Sequence, residues 1–288
     1  MMIDTHLHIW QRKAGAYSWL VPDFGALYDD FPPEAANDEL LRAGVDGAVL
    51  VQADDTLNDA LYMFEAADRF EWALGVVAWL PLDSPDQSAG LLERYLAFET
   101  MCGVRQLVHD DPRDNFYRLP EVHEVAELMA THSLPLDIPD AWPRDLPQVV
   151  DLASEHPHLT VVLDHMGKPP VDQKDFAEWL AVFRAFSESP NAVVKFSGLH
   201  HPDRPFTREG VSHLWDLCLE LLGPTRMMVG SDWPITVNYG GYQPTWRTLH
   251  DLLSGLSAKD RHAIESETAG HVYGHSKKIA ALTRNEDI

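Results

Sequence analysis

The chain has 288 residues, 45% of them hydrophobic, which is enough for one large domain with a substantial core. Its 22 basic and 45 acidic residues give a formal net charge of −23, and no run of lysine and arginine occurs. That balance excludes a nucleic-acid partner, because phosphate binding needs a basic footprint. No apolar stretch approaches the roughly 20 residues of a membrane span, and nothing at the amino terminus reads as a signal peptide. The two cysteines, Cys102 and Cys218, lie far apart in apolar contexts and read as reduced core thiols. The expectation is a cytoplasmic protein with no membrane partner, and the composition is compatible with a homo-oligomer.

In chain order, short apolar runs alternate with amphipathic ones. MIDTHLH is predicted as the first strand, and the strand period of two places His6 and His8 on one face with Thr5 and Leu7 on the other. Seven more strand runs follow: DGAVLVQ, GVVAWL, GVRQLV, LPLDI, LTVVLDH, NAVVKFSG and RMMVGSD. Helix-like stretches lie between them, among them NDALYMFEAADRF, EVHEVAELMATH and GVSHLWDLCLELLG, with apolar residues three and four apart. Eight strands alternating with helices predict a single-domain (β/α)8 TIM barrel over residues 1–288. Neither GxGxxG nor a P-loop is present, which argues against a doubly wound dinucleotide fold. Residues 9–33, rich in Trp, Tyr, Pro and Asp, are expected as a loop over the barrel mouth, with GYQPTW after the eighth strand as a second wall.

Barrel active sites sit at the C-terminal ends of the strands. Those ends carry His6 and His8 on the first, Arg105 with His109 beyond it on the fourth, and Asp137 on the fifth. The sixth ends in Asp164 and His165, the seventh offers Lys195, and the eighth ends in Asp232 within GSDWP.

The initial D-x-H-x-H, a histidine ending the sixth strand and an aspartate ending the eighth resemble the amidohydrolase superfamily. DTHLHIW, AYSWL, GVRQLVHD, LDHMGKP, VKFSGL and VGSDWP together are similar to its sugar-lactone hydrolase branch, over nearly the whole chain. The resemblance implies a hydrolase that opens a small, sugar-derived lactone. Asp232 would activate water, and His6, His8 and His165 would polarise the carbonyl, either directly or through one divalent ion, zinc by donor type, held by His6, His8, His165 and Asp232. A binuclear centre is not expected, because Arg105 and Asp137 stand where metal-rich relatives carry a lysine or glutamate and a histidine.

Arg105 offers a fork for a carboxylate or sugar hydroxyls, the alternative being an ion pair with Asp137 or Asp164. His109, Lys195, Tyr17, Trp19 and Trp233 are further candidates for contacting the substrate, aromatic faces being suited to sugar rings. Two rival functions are a metal-dependent amidohydrolase or decarboxylase acting on a carboxylated ring, and a non-catalytic sugar-acid binding protein.

Overall fold

The computed structural model describes residues 1–13 and 16–285. Eight parallel strands, β1 (Ile3–Leu7), β2 (Gly47–Val51), β3 (Ala73–Trp79), β4 (Met101–Arg105), β5 (Leu136–Ile138), β6 (Val161–Leu163), β7 (Ala192–Phe196) and β8 (Met227–Val229), form one sheet in sequence order. Outside them run α1 (Pro33–Ala43), α2 (Leu57–Arg69), α3 (Pro85–Tyr95), α4 (Pro120–Thr131), α5 (Leu146–Glu155), α6 (Gln173–Glu188), α7 (Arg208–Leu221) and α8 (Tyr242–Leu253). The fold is the (β/α)8 barrel expected, and each strand overlaps a predicted run, with β3 and β4 each beginning two residues before theirs. GYQPTW is not a wall of the mouth: it opens α8, and its Tyr242 and Trp246 are buried in the helical layer.

Parallel strands buried on both faces must be apolar throughout, and β2, GAVLV, is buried at every position. The outer core lies between strands and helices. The inner one collects Val49, Val51, Val77, Cys102, Val162, Val193 and Met228 inside the barrel. Its floor comes from the end of the chain, where α9 (Ala258–His262), a π-helical turn (Ala263–Glu267), α10 (Thr268–Val272) and α11 (Lys277–Asn285) bring Ala269, Val272, Tyr273 and Ile279 beneath the strands. Cys102 and Cys218 are buried free thiols, and burial pushes both up, which keeps them unreactive. Among the described residues no helix is long and apolar enough to cross a membrane.

The barrel closes between β1 and β8 without a regular ladder. His8 N donates to Trp233 O at 2.7 Å, Asp232 N to His6 O at 2.8 Å, and Thr5 Oγ1 to Val229 O at 2.9 Å. Strand β1 carries a register irregularity between Asp4 and Leu7, and its alternation changes phase there: Ile3 joins the inner core, Leu7 the outer one. Asp4 pins this seam, its Oδ1 accepting from His6 N at 3.1 Å and from Ser231 N at 2.9 Å.

The chain just past β8 passes close to β1 at Gly230, where a Cβ would lie 2.7 Å from His6 Cβ and 2.9 Å from His6 N. Neither neighbour can move without displacing His6. Gly230→Ala is therefore expected to destabilise the fold by about 1–3 kcal/mol, as an overpacked core does, measured by chemical denaturation. An unchanged midpoint would show that the seam can open.

Candidate active site

A column of buried charge rises through the barrel from its floor. Tyr273 Oη donates to Asp137 Oδ2 at 2.7 Å, and Lys195 Nζ donates to the same oxygen at 2.5 Å. Lys195 Nζ also lies 3.2 Å from Asp164 Oδ1, and Arg105 Nη1 donates to Asp164 Oδ2 at 2.9 Å. Burial alone would raise Asp164, yet Lys195, His6 and Arg105 around it hold its carboxyl well below the usual range. The column ends at His6, whose Nδ1 is 3.2 Å from Asp164 Oδ1.

Above it, side chains from three strand ends converge. His6 Nε2 and His8 Nε2 are 3.2 Å apart, and Asp232 Oδ1 lies 3.7 Å from the first and 3.4 Å from the second. His165 Nε2 is 3.7 Å from the same oxygen. The other ring nitrogens fix what these atoms can do. His8 Nδ1 faces Val51 O at 2.8 Å, so it carries the proton and leaves a lone pair on Nε2. His6 Nδ1 has an acceptor, Asp164 Oδ1 at 3.2 Å, and a donor, Lys195 Nζ at 3.4 Å, so this ring can take either tautomer; with the proton on Nδ1 its Nε2 keeps a lone pair. His165 Nδ1 meets the Ser197 hydroxyl at 2.9 Å, a group that donates or accepts, so this ring keeps both tautomers.

Burial above all holds His6 well below its ordinary range, and it lowers His165 too. Burial pushes Asp232 the other way, but its neighbours His165, His8, Lys168 and His6 outweigh it and hold the carboxyl well below its ordinary range.

Local backbone geometry aims these groups. His165, Met166, Gly167 and Lys168 all have positive φ, between 56° and 69°, a left-handed run that costs about 1 kcal/mol or more for each non-glycine residue. It is held by Trp142 N on Gly167 O at 3.0 Å and Trp179 Nε1 on Met166 O at 3.2 Å. Gly198, also at positive φ, leaves the space: a Cβ there would sit 2.4 Å from His165 Nδ1 and 2.6 Å from Asp232 Oδ2.

A cavity of about 470 Å³ opens over the convergence point, lined by His8, His165 and Asp232, with Arg105, His109, Asp110, Asp140 and Lys168 on its polar side. Trp10, Trp19, Phe24, Leu27 and Ile235 make the opposite wall. Four of these five come from segment 9–33, which contains a short 3-10 helix, Pro22–Leu27; positions 14 and 15 of the segment lie outside the described residues.

Of the residues expected to touch substrate, His109 and Trp19 face the cavity, and Trp19 Nε1 is anchored on Ala53 O at 2.7 Å. Arg105 lines the cavity, but its fork points away from it: Nη2 donates to Gln52 O and Oε1, Nε to Gln52 Oε1, and Nη1 to Asp164 with His6 Nε2 at 3.3 Å. All five N–H groups are thereby engaged.

Three expectations are corrected. Lys195 is fully buried within the column, below the cavity. Tyr17 is buried in the cap, its hydroxyl on Asp59 Oδ1 at 2.9 Å. Trp233 is buried beside Phe31, with ring centroids 5.3 Å apart. Sequence reasoning missed Asp140 and Lys168; the GKP that follows the sixth-strand histidine was the available signal for the lysine.

Comparison with known proteins gives a consistent picture. The amidohydrolase family model matches residues 3–275. The chain is 31% identical to an L-fucono-1,5-lactonase of Burkholderia ambifaria, over 94% of each chain. It is 28% identical to an L-fucono-1,5-lactonase of Burkholderia multivorans, covering 95% of this chain and 96% of that one. The crystal structure of an amidohydrolase from Burkholderia multivorans with bound zinc superposes with a TM-score of 0.84 at 26% identity, covering 95% of this chain and 99% of that one.

The cap carries a titratable anchor. Asp59 accepts from Tyr17 Oη at 2.9 Å and Ala53 N at 3.0 Å, and burial pushes its carboxyl from 3.8 up to about 7. A carboxyl raised in the folded state favours the fold while protonated, so its contribution is complete below about pH 4 and is lost as the pH rises through about 7. Asp59→Asn removes that dependence. Calorimetry at about pH 5 and about pH 8 should therefore show the melting-temperature difference moving in the variant's favour at the higher pH. A difference that does not change with pH would mean that Asp59 ionises as an exposed carboxyl does.

Proposed function

The chain belongs to the amidohydrolase family, and from that footing we propose that it is a hydrolase opening the ring ester of a small, uncharged, sugar-derived lactone. The relatives named L-fucono-1,5-lactonase support the reaction class. The cavity supports an uncharged substrate. With the Arg105 fork turned to Gln52 and Asp164, its cationic lining reduces to Lys168 and, when protonated, His109, against Asp110, Asp140 and Asp232. The aromatic wall offers flat apolar surface to one face of a sugar ring or to a methyl substituent.

The observation that carries the mechanism is the electron-rich triangle of His6 Nε2, His8 Nε2 and Asp232 Oδ1, whose edges are 3.2, 3.4 and 3.7 Å. Two imidazole lone pairs and a carboxylate oxygen this close repel unless a cation lies among them. Ligands at about 2.0–2.1 Å in a tetrahedral zinc site stand roughly 3.3 Å apart, so the donor set of His6, His8 and Asp232 fits one zinc ion. Bound there, the ion would act as a Lewis acid and acidify water.

The residues of the chain do the rest. Asp232, ionised throughout the working pH range, takes a proton from the attacking water as its oxygen adds to the lactone carbonyl carbon. The carbonyl electron pair moves to oxygen, which His165 Nε2–H can meet in the tautomer where Nδ1 accepts from Ser197. When the pair returns and the bond from carbonyl carbon to ring oxygen breaks, protonated Asp232 is a strong acid and gives its proton to the leaving ring oxygen. The sum is one water added and one ester bond broken.

Asp232→Asn should lower kcat on aldonolactones by about 10²–10⁴-fold, the range for a lost acid–base group, in a pH-indicator assay. Metal content of the purified wild type and activity after chelation test the triangle in the same preparation. One zinc per chain, with activity lost on its removal and restored on its return, is the expected result. Full activity in metal-free protein would assign the His6 lone pair to Arg105 Nη1, 3.3 Å away. An active Asp232→Asn variant would overturn the proposed base.

A further inference from the structure

Lactone opening turns a neutral substrate into an anion, so the site needs a cation with donors to spare. Arg105 has none. Lys168 does: its Nζ donates to Gly198 O at 2.9 Å, Asp140 Oδ1 stands at 3.7 Å, and no other acceptor among the described residues lies within hydrogen-bond reach. The side chain is about one-third exposed, and it lines the cavity beside His165, Asp232 and Asp140. Its backbone, at φ 60° and ψ 70°, closes the left-handed run that begins at His165, a conformation that glycine would adopt without strain. A lysine is kept where the backbone favours glycine, and its ammonium is tethered by the carbonyl of Gly198, the residue that makes room for His165 and Asp232.

We propose that Lys168 is a further catalytic residue, whose ammonium binds the oxygen that becomes anionic as the lactone opens and then holds the new carboxylate of the product. The role rests on the lactonase reading above. Because the charge is absent from the substrate and present in the transition state, the interaction contributes to kcat far more than to KM. The same ammonium makes the product a better ligand than the substrate, so product inhibition is built into the site.

The test compares wild type with Lys168→Met, Lys168→Arg and Lys168→Gly, using kinetics on a panel of aldonolactones and calorimetric titration with L-fuconate as the anionic probe. The expected result for Lys168→Met is a loss of kcat of about 10–10³-fold with KM within about threefold, and L-fuconate bound at least about tenfold more weakly. Lys168→Arg should recover part of the L-fuconate binding. Lys168→Gly should melt no lower than wild type while losing kcat as the methionine variant does, which separates charge from backbone strain. A methionine variant with kcat and L-fuconate affinity both within twofold of wild type overturns the role of Lys168 and leaves lactone hydrolysis intact. A wild type that binds L-fuconate through Lys168 but turns over no lactone overturns the reaction and keeps the anion site; neither turnover nor binding overturns both.

Discussion

Asp164 is the charge around which the barrel interior is arranged. It is fully buried, and a carboxylate in that position persists only if opposite charge surrounds it closely. Lys195 reaches it from below, Arg105 from the side, and the Nδ1 of His6 from above. Each contact has a second effect. Lys195 is positioned to pair with Asp137, and through it with Tyr273 on the barrel floor. Arg105 is drawn off the cavity wall and its remaining donors go to Gln52, which removes the guanidinium from substrate binding. His6 is offered an acceptor for a proton on Nδ1, and in that tautomer its Nε2 lone pair turns toward His8 and Asp232.

The charges of this column and of Asp232 above it do not cancel. Asp137, Asp164 and Asp232 carry three negative charges and Lys195 and Arg105 two positive ones, with burial holding His6 and His165 neutral, so one negative charge is in excess. The excess lies at the top of the column, where the triangle of donor atoms faces the cavity. An acidic protein is thus electron-rich at its site for a local reason, separate from the net charge of its surface.

The sequence made the barrel legible because parallel strands buried on both sides read as apolar runs, as β2, β3, β6 and β8 do throughout, while β1, β4, β5 and β7 are apolar but for the polar residues they send into the barrel. His6, His8, His165 and Asp232 could be placed together because His8, His165 and Asp232 stand just past the ends of their strands and His6 precedes His8 by two residues on one face. Depth was harder to read. Lys195 lies one residue before the end of β7, inside the barrel, whereas Asp232 lies three residues beyond the end of β8. Only the packed structure turns that offset into floor against rim. Tyr17 and Trp233 look like sugar platforms by residue type, yet each is consumed by contacts within the mouth itself. Lys168 escaped notice because a left-handed run has no hydrophobic period, and the floor did because its helices are short.

The donor triangle straddles the seam between the first strand and the turn after the last. Neither half of the barrel, β1 to β4 or β5 to β8, contains more than part of it. Shuffling half-barrels between related enzymes would therefore keep the scaffold but divide the chemistry, each chimera inheriting the histidines from one parent and the aspartate from the other. Two such halves would have to diverge in step, because the distance across one irregular seam decides whether their ligands meet.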